Sequence, residues 1–429
     1  VKFSFDAIFD PDNDAAPQIP YFQGIEKVEI VDPLTIKFTA KDTYFQNFDV
    51  VASGMFIIPK HFYGDKEKNK KANRNIICSG PYKFESWDQT QKIVLSKFTD
   101  YFGFKEASRK GENNFNSIIF RFYKEDYQVI EHAKKGDLDY FDLTSEAYVT
   151  KAVGPEFGKT VFKVQAENKV PRSFGYIGFN MRNELFQEKK LRLALSHLFN
   201  REEMVKKFLS NMVYLANGPI YVQSEYNPGN KPIEFNPGLA KKLLSEAGWK
   251  DSNKDGVLDK MVNGKLRSLE FDLLYVSKDS EKYFTLFQQD LKNAGVKMNI
   301  RQLEWNALLK NVDEGKFDTV AMAWSASVDP DPKQIWHSAS IGGGGSNHIA
   351  YSNPTVDKLI DEARLIPDRK QRIAKLKKVY QIIADDAPYI FMFNRKYSTY
   401  GHSARVNKPS DTFQYDIGTA YWWSGKSVQ

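Results

Sequence analysis

The chain has 429 residues, too many for one hydrophobic core, so roughly two to four domains are expected. Lysine and arginine number 61 against 54 aspartates and glutamates, a formal charge of +7, but the two signs are interspersed and no basic arm forms, which argues against nucleic acid as a partner. No apolar run reaches the length of about eighteen residues that a membrane-spanning helix needs, and the single cysteine, Cys78, leaves neither an intramolecular disulfide nor a cysteine-rich metal site.

VKFSFDAIFDP, at the start, alternates apolar and polar residues like the end of a strand leading into a helix, and lacks the features of a signal peptide. Up to about residue 115 short strands and turns follow. KVEIVDPLTIKFTA turns at Asp32-Pro33, and SGPYKFESWDQTQKIVLSKF reads as a hairpin around Asp88 to Thr90. The basic stretch KEKNKKANR at 66 to 74, like RKQR at 369 to 372, reads as solvated surface. FNSIIFRFY at 115 to 123 predicts a buried strand; a helix through Tyr127 to Lys135 ends at Gly136, and LDYFD follows as a strand, which together read as one βαβ unit.

Residues 174 to 180, FGYIGFN, predict another strand. A helix from about Glu188 to Leu209 presents Leu191, Ala194, Leu195, Leu198 and Phe199 on one face. Asn236 caps a helix that starts at Pro237, runs to Ala247 and stops at Gly248. LEFDLLY at 269 to 275, a helix around 281 to 294, VKMNIRQL at 296 to 303, a helix near 305 to 314 and FDTVAMAW at 317 to 324 then read as βαβαβ, predicting a parallel sheet whose ligands bind beyond the strands' carboxyl ends. A long Gly/Ser/Asp loop leaves the third of these strands. Asn353 caps and Pro354 starts the next helix, with Val356, Leu359, Ile360 and Ala363 at helical spacing. A basic helix at 368 to 384 and the strand YIFMFN at 389 to 394 follow, so the chain's end is expected to return to an earlier sheet.

The loop after Trp324 is the candidate site. Gly342 to Gly345 let backbone amides approach a ligand, Trp324, Trp336, His348 and Tyr351 offer ring surface, and Asp329 and Asp331 offer charge; the alternative is a mobile surface loop. Catalytic patterns are absent elsewhere. His61, His132, His197, His337, His348 and His402 are scattered without metal-ligand spacing, no GxSxG elbow occurs, Asn347 falls where a dinucleotide fingerprint needs its third glycine, and Gly425-Lys426-Ser427 lacks the upstream glycine of a phosphate loop. Asp251, Asn253, Asp255, Gly256 and Asp259 resemble the first half of a calcium loop, but Val262 stands where the bidentate glutamate belongs, so a turn closed by Asx hydrogen bonds is expected over a metal site. Asp137 with Asp139, and Asp385 with Asp386, have nothing around them that completes a catalytic site. A binder without cofactor is expected, not an enzyme.

VKFSFDAI, SGPYKFESWD, the Ala133 to Asp139 element, GYIGFNMRNELFQEKKLRLALSHLFNREEMV, FNPGLAKKLLSEAGWKDSNKDGVLD and YSNPTVDKLIDEA stand in the order found in extracellular solute-binding proteins of peptide-importing ABC transporters, family 5. The chain resembles that oligopeptide and dipeptide-binding class. The resemblance implies an α/β fold of the periplasmic-binding-protein type II-like kind: two α/β lobes joined by a hinge, plus an additional β-rich domain. On that plan 1 to 115 is the β-rich domain, 116 to 173 with 386 to 429 the first lobe, and 174 to 385 the second. VKFSFDAI lies well inside mature relatives, so about the family's first hundred residues and some strands of the first lobe are expected to be missing.

The implied activity is capture of an extended peptide or peptide-like ligand between the lobes and delivery to a membrane permease and its ATPase, by a monomer that is periplasmic or lipid-anchored at the cell surface. The alternative is a sensor that signals to a membrane receptor through the same fold. In the class an aspartate shortly after a tryptophan neutralises the peptide's α-ammonium; counted from Trp324, that place holds Ser327. Asp329 or Asp331 is expected to take over the charge, or else the ligand lacks a free amino terminus. Trp324, Ser325, Ser327, Asp329, Asp331, Asn347 and Tyr351 form the expected ligand-facing set.

Overall fold

A computed structural model describes every residue except 14, 16, 17, 71, 263, 343, 344, 411, 412 and 426–429. The chain divides into two compact units, one of Val1–Lys41, Gln46–Val170 and Tyr397–Gln429, the other of Asp42–Phe45 and Pro171–Lys396.

In the first unit the opening segment is a helix, Lys2–Ile8, not a strand end. Phe5 and Ile8, three residues apart, fall on one helical face and pack with Phe22, Ile25 and Val50, and that burial overrides the alternation. Both expected hairpins form: Ile25–Asp32 pairs with Thr35–Ala40, and Tyr82–Asp88 with Lys92–Lys97. Ser117–Arg121 adds antiparallel to Lys92–Lys97 as an edge strand. It is not buried as expected, since Ile119 and Phe120 are 49% and 52% exposed; an apolar run looks the same on an edge as in a core. The helix Asp126–Lys134 carries a capping box between Glu125 and Gln128, and Gly136 then turns the chain at φ +81°, which favours glycine. The expected βαβ unit does not form. Tyr140–Asp142 enters a different sheet, pairing with Ser398–Ser403, which pairs in turn with Val161–Ala166.

The second unit is built on β1 (Phe174–Phe179), α1 (Lys189–His197), β2 (Val213–Leu215), α2 (Pro237–Glu246), β3 (Glu270–Tyr275), α3 (Glu281–Asn293), β4 (Lys297–Gln302), α4 (Trp305–Asp313), β5 (Thr319–Trp324), α5 (Pro354–Arg364), α6 (Arg369–Asp386) and β6 (Tyr389–Arg395). Its six-stranded sheet runs in the order β4-β3-β5-β1-β6-β2. β3 pairs parallel with both β4 and β5, as βαβαβ demands. The sheet is mixed, not wholly parallel, because β1 pairs antiparallel with β5 and with β6. The strand 389–395 therefore belongs with 174–179 in the second unit, not with 116–173, and only beyond Lys396 does the chain rejoin the first unit.

Side chains alternating across this sheet feed two cores. Ile177, Phe179, Phe271 and Leu273 meet α1, α2 and α3 on one face; Phe174, Tyr176, Leu274 and Val320 meet α4, α5 and α6 on the other. The two Asn-Pro starts behave as read: Asn236 Oδ1 accepts from the Leu239 amide at 2.9 Å, and Asn353 Oδ1 from the amides of Thr355 and Val356. The single helix expected over 188 to 209 is interrupted instead. Asn200 caps a new turn by accepting from Glu203 N at 3.1 Å, and a π turn, Val205–Leu209, completes the segment. Among the described residues no helix is long and apolar enough to cross a membrane.

Candidate functional site

β5 ends at Trp324, opposite Phe174 at the start of β1, so the candidate loop leaves the carboxyl edge of β3, β4 and β5. Trp324 sits half-buried at the end of an aromatic wall on the α4–α5–α6 face. Tyr389 stacks on Tyr176 with ring centroids 3.9 Å apart, Tyr176 lies parallel to Trp324 at 6.0 Å, and Trp324 parallel to His348 at 6.0 Å. Trp324 Nε1 donates to Tyr389 Oη at 3.3 Å. Burial pushes the Tyr389 phenol up to about 12 and lowers His348 below the ordinary histidine value, so both stay neutral near pH 7. The wall is uncharged.

Ser325 and Ser327 are exposed beyond it. Ser327 Oγ donates back to the Asp329 carbonyl at 3.3 Å, closing the first turn of the loop.

The two aspartates are held by partners distant in sequence. Asp331 Oδ2 accepts from Tyr44 Oη at 2.8 Å and from Arg364 Nε at 2.9 Å. The Arg364 guanidinium also lies over the Tyr44 ring, 4.2 Å from its centroid. Tyr44 arrives on a four-residue excursion, Asp42–Phe45, that packs with the second unit. There Phe45 N donates to Arg364 O, Thr43 Oγ1 to Leu365 O, and the Arg372 guanidinium covers the Phe45 ring at 4.0 Å. Asp329 Oδ1 accepts from Tyr226 Oη at 2.5 Å and from Arg369 Nε at 2.9 Å, while Arg369 Nη1 also reaches Glu225. Burial, then the Asp329 carboxylate, push the Tyr226 phenol up to about 12, and burial, then Asp331, raise the Tyr44 phenol well above the ordinary tyrosine value.

Asn347 and Tyr351 face inward, contrary to their expected place in a ligand-facing set. Asn347 Nδ2 donates to His337 O and Tyr351 O, its Oδ1 accepts from Tyr351 N, and Tyr351 Oη donates to Asp386 at 2.7 Å. A buried polar group must find partners, and these two find them by folding the loop's far end. Trp336 is likewise buried against Tyr389 at 4.8 Å. Of the four glycines, Gly343 and Gly344 lie outside the described residues. The structure thus brings Trp324, Ser325 and Ser327 together at an accessible edge and uses Asp329, Asp331, Asn347 and Tyr351 as fastenings.

Sequence reasoning missed Tyr44, Tyr226, Arg364, Arg369 and Arg372. The RKQR stretch read as solvated surface contributes Arg372, 4% exposed, and Arg369. Aspartates spaced two apart in the loop, against arginines five and eight apart across the turn between α5 and α6, were the available signal.

The calcium-like turn closes on itself. Asp251 accepts from the amides of Asp255 and Gly256, Asp255 from Val257 N, and Asp259 from Ser252 N. No group of three or more His, Cys, Asp or Glu that could hold a metal occurs among the described residues.

Residues 1–346 match the family described as bacterial extracellular solute-binding proteins, family 5. The oligopeptide-binding protein AppA of Bacillus subtilis (strain 168) is 32% identical over 367 residues, covering 83% of this chain and 64% of that protein, so the chain spans less than two thirds of that relative's length. The glutathione-binding protein GsiB of Pectobacterium atrosepticum is 26% identical over 91% of this chain and 72% of that protein. Among solved structures, AppA from Bacillus subtilis in complex with a nonapeptide superposes with a TM-score of 0.85 at 28% identity, over 99% of this chain and 82% of that one. NikZ from Campylobacter jejuni, in complex with Ni(L-His), shares the fold, with a TM-score of 0.81 at 23% identity over 99% of this chain and 83% of that one. With the family match spanning most of its length, the chain belongs to the bacterial extracellular solute-binding proteins of family 5.

Proposed function

We propose that the chain is the substrate-binding component of an ABC importer, taking an extended peptide or peptide-like ligand and delivering it to a membrane permease served by an ATPase. The observation that carries this reading is the loop after Trp324: an uncharged aromatic wall and exposed serines at a sheet's carboxyl edge, held in place by two Tyr–Asp–Arg clusters, in a chain of this family. Such a site is preorganised, which lowers the entropy cost of capture. On this reading the second unit serves as the second lobe, and the first unit combines the β-rich domain, 1 to 115, with the first lobe. The protein acts as a monomer outside the cytoplasmic membrane, periplasmic or lipid-anchored, and no catalytic step is assigned.

Native mass spectrometry of the purified protein, followed by calorimetric titration of the stripped protein with a synthetic nonapeptide, tests the reading. Co-purifying peptides, or a saturable one-to-one isotherm, are expected. No bound peptide, and no heat with peptides of three to nine residues, would reject the peptide assignment.

A further inference from the structure

A groove of about 1160 Å3 runs between the outer side of α3 and β4, on the face of the sheet opposite the aromatic wall. Lys282, Thr285, Gln289 and Lys292 line it as one helical stripe, with Lys278 in the turn before α3. The other wall is the run Val296 to Asn299 at the start of β4. Successive strand residues face opposite sides, so four in a row meet one groove only along the strand's backbone edge. β4 is the outermost strand of its sheet and keeps unbroken register with β3 over six residue pairs. Lys297 N donates to Leu269 O and Leu303 N to Tyr275 O. In this parallel pair the odd-numbered residues therefore turn their backbone groups to β3, and Met298, Ile300 and Gln302 turn theirs outward. Gln288 Nε2 covers Met298 O at 2.6 Å. The amides of Met298, Ile300 and Gln302 meet no partner among the described residues.

Sheet edges are ordinarily blunted by proline, a bulge, a covering segment or charges set against pairing. β4 has neither proline nor bulge, and its own charges are matched along the sheet: Lys297 pairs with Glu270 at 2.9 Å and Arg301 with Asp272 at 2.7 Å, both acids on β3. The unmatched charge lies across the groove. Lys278 and Lys292 are exposed and make no ion pair among the described residues, and Lys282 Nζ lies over the Phe208 ring, 5.4 Å from its centroid. The carboxylates on the lining are Asp255, which accepts from Val257 N, and Glu281, which accepts from Tyr275 Oη. Lys278, Lys282, Lys292 and Lys297 outnumber those two acids, so the groove is positive. A second copy of this edge would set like charges against each other, whereas an acidic strand is attracted.

We propose that this edge docks another protein: an extended acidic segment of the partner adds to β4 as a further strand, and its carboxylates meet Lys278 and Lys292. The probe is a fluorescein-labelled decapeptide of alternating glutamate and valine; a lysine-valine decapeptide and a fully N-methylated glutamate-valine form are the controls. At low ionic strength the acidic peptide gives a saturable rise in anisotropy and slows hydrogen exchange at the amides of Met298, Ile300 and Gln302, and neither control does so. The double variant Lys278→Glu, Lys292→Glu, altered at two exposed side chains, keeps the Tm of the unaltered protein and binds the acidic peptide at least about tenfold more weakly. No saturable binding of the acidic peptide overturns the docking site. Equal binding by the unaltered protein and the double variant overturns the acidic partner. Equal binding of the N-methylated form, or protection that bypasses Met298, Ile300 and Gln302, overturns strand addition. A dimer of the protein alone that protects those same amides assigns the edge to a second copy and also overturns the proposal.

Discussion

Replacing Asp331 separates two roles for the loop carboxylates, anchoring a ligand's ammonium or fastening the loop. The Asp331 side chain is 4% exposed and its partner Arg364 15% exposed, with Tyr44 buried against both. Asp331→Ala leaves a guanidinium desolvated without its counter-charge, a change that costs about 3–5 kcal/mol when one member of a buried pair is removed. At about 2–4 °C per kcal/mol for a body of 150–250 residues, the Tm of the second unit falls by at least about 6 °C. Tyr44→Phe removes one hydrogen bond to a charged acceptor, worth about 1.5–3 kcal/mol. Because both changes act on one contact, the double variant is less destabilised than the sum of the singles. Guanidinium chloride unfolding of the four proteins provides the measurement. A ligand anchor behaves oppositely: an exposed carboxylate can be removed within about 0.5 kcal/mol of stability while binding weakens. A loss of stability below about 1 kcal/mol in Asp331→Ala, well short of the buried-pair cost, refutes the fastening role.

Trp324→Phe keeps the parallel ring against Tyr176 and removes the indole; if this residue lines the binding edge, it abolishes most of the nonapeptide-induced change in tryptophan emission, and an unchanged signal assigns that change to another tryptophan. Gly178→Ala in β1 puts a Cβ 3.0 Å from both Ile349 Cγ2 and Tyr389 Cε1, overpacking that costs about 1–3 kcal/mol and is read as a lower Tm with a weaker Trp324 contact to Tyr389. Asp290 on α3 has its carboxyl raised to about 6 by burial first and by Glu203 second, against Lys207. A raised folded-state value means that the folded protein binds the proton more tightly, so Asp290 is neutral to stability below about pH 4, becomes increasingly unfavourable up to about pH 6, and costs a constant amount above that; Asp290→Asn therefore raises Tm at pH 7 to 8 and not at pH 4, and a Tm difference independent of pH contradicts this.

What could be read from sequence and what could not divide along a physical line. Local signals held: Asn236-Pro237 and Asn353-Pro354 each place an acceptor against orphan helix amides, and the βαβαβ pattern of 269 to 324 is set by short apolar strands and amphipathic helices within one continuous stretch. Tertiary competition was invisible. FNSIIFRFY is as apolar as a core strand, yet Ser117–Arg121 takes an edge, because its burial depends on neighbours that the segment does not encode. Asn200 was hidden inside a helical period that its own side chain interrupts. In the site, the position of the loop followed from the strand that feeds it, and the exposed edge from Trp324 to Ser327 was legible for that reason. The state of the carboxylates was not: Asp331 is captured from 287 residues away by Tyr44 and from 33 away by Arg364, and no spacing rule reaches so far.

Those fastenings bear on the charge that Ser327 lacks. Arg369 offsets Asp329, Arg364 offsets Asp331, and Ser327 Oγ is turned to a carbonyl within its own loop. An α-ammonium at this edge meets dipoles, an uncharged aromatic wall and carboxylates that are already paired with arginines. The second unit by itself thus offers little to a free amino terminus. If this unit determines selectivity, acetylating the amino terminus of the nonapeptide changes calorimetric affinity by less than about 0.5 kcal/mol, whereas a charge-assisted hydrogen bond to the ammonium would be worth about 1.5–3 kcal/mol. An affinity loss in that larger range on acetylation shows that a carboxylate does reach the ammonium. Repeating the titration with Asp329→Asn then identifies whether it is the half-exposed member of the pair, since only that aspartate can exchange its arginine for a ligand without first unburying a charge.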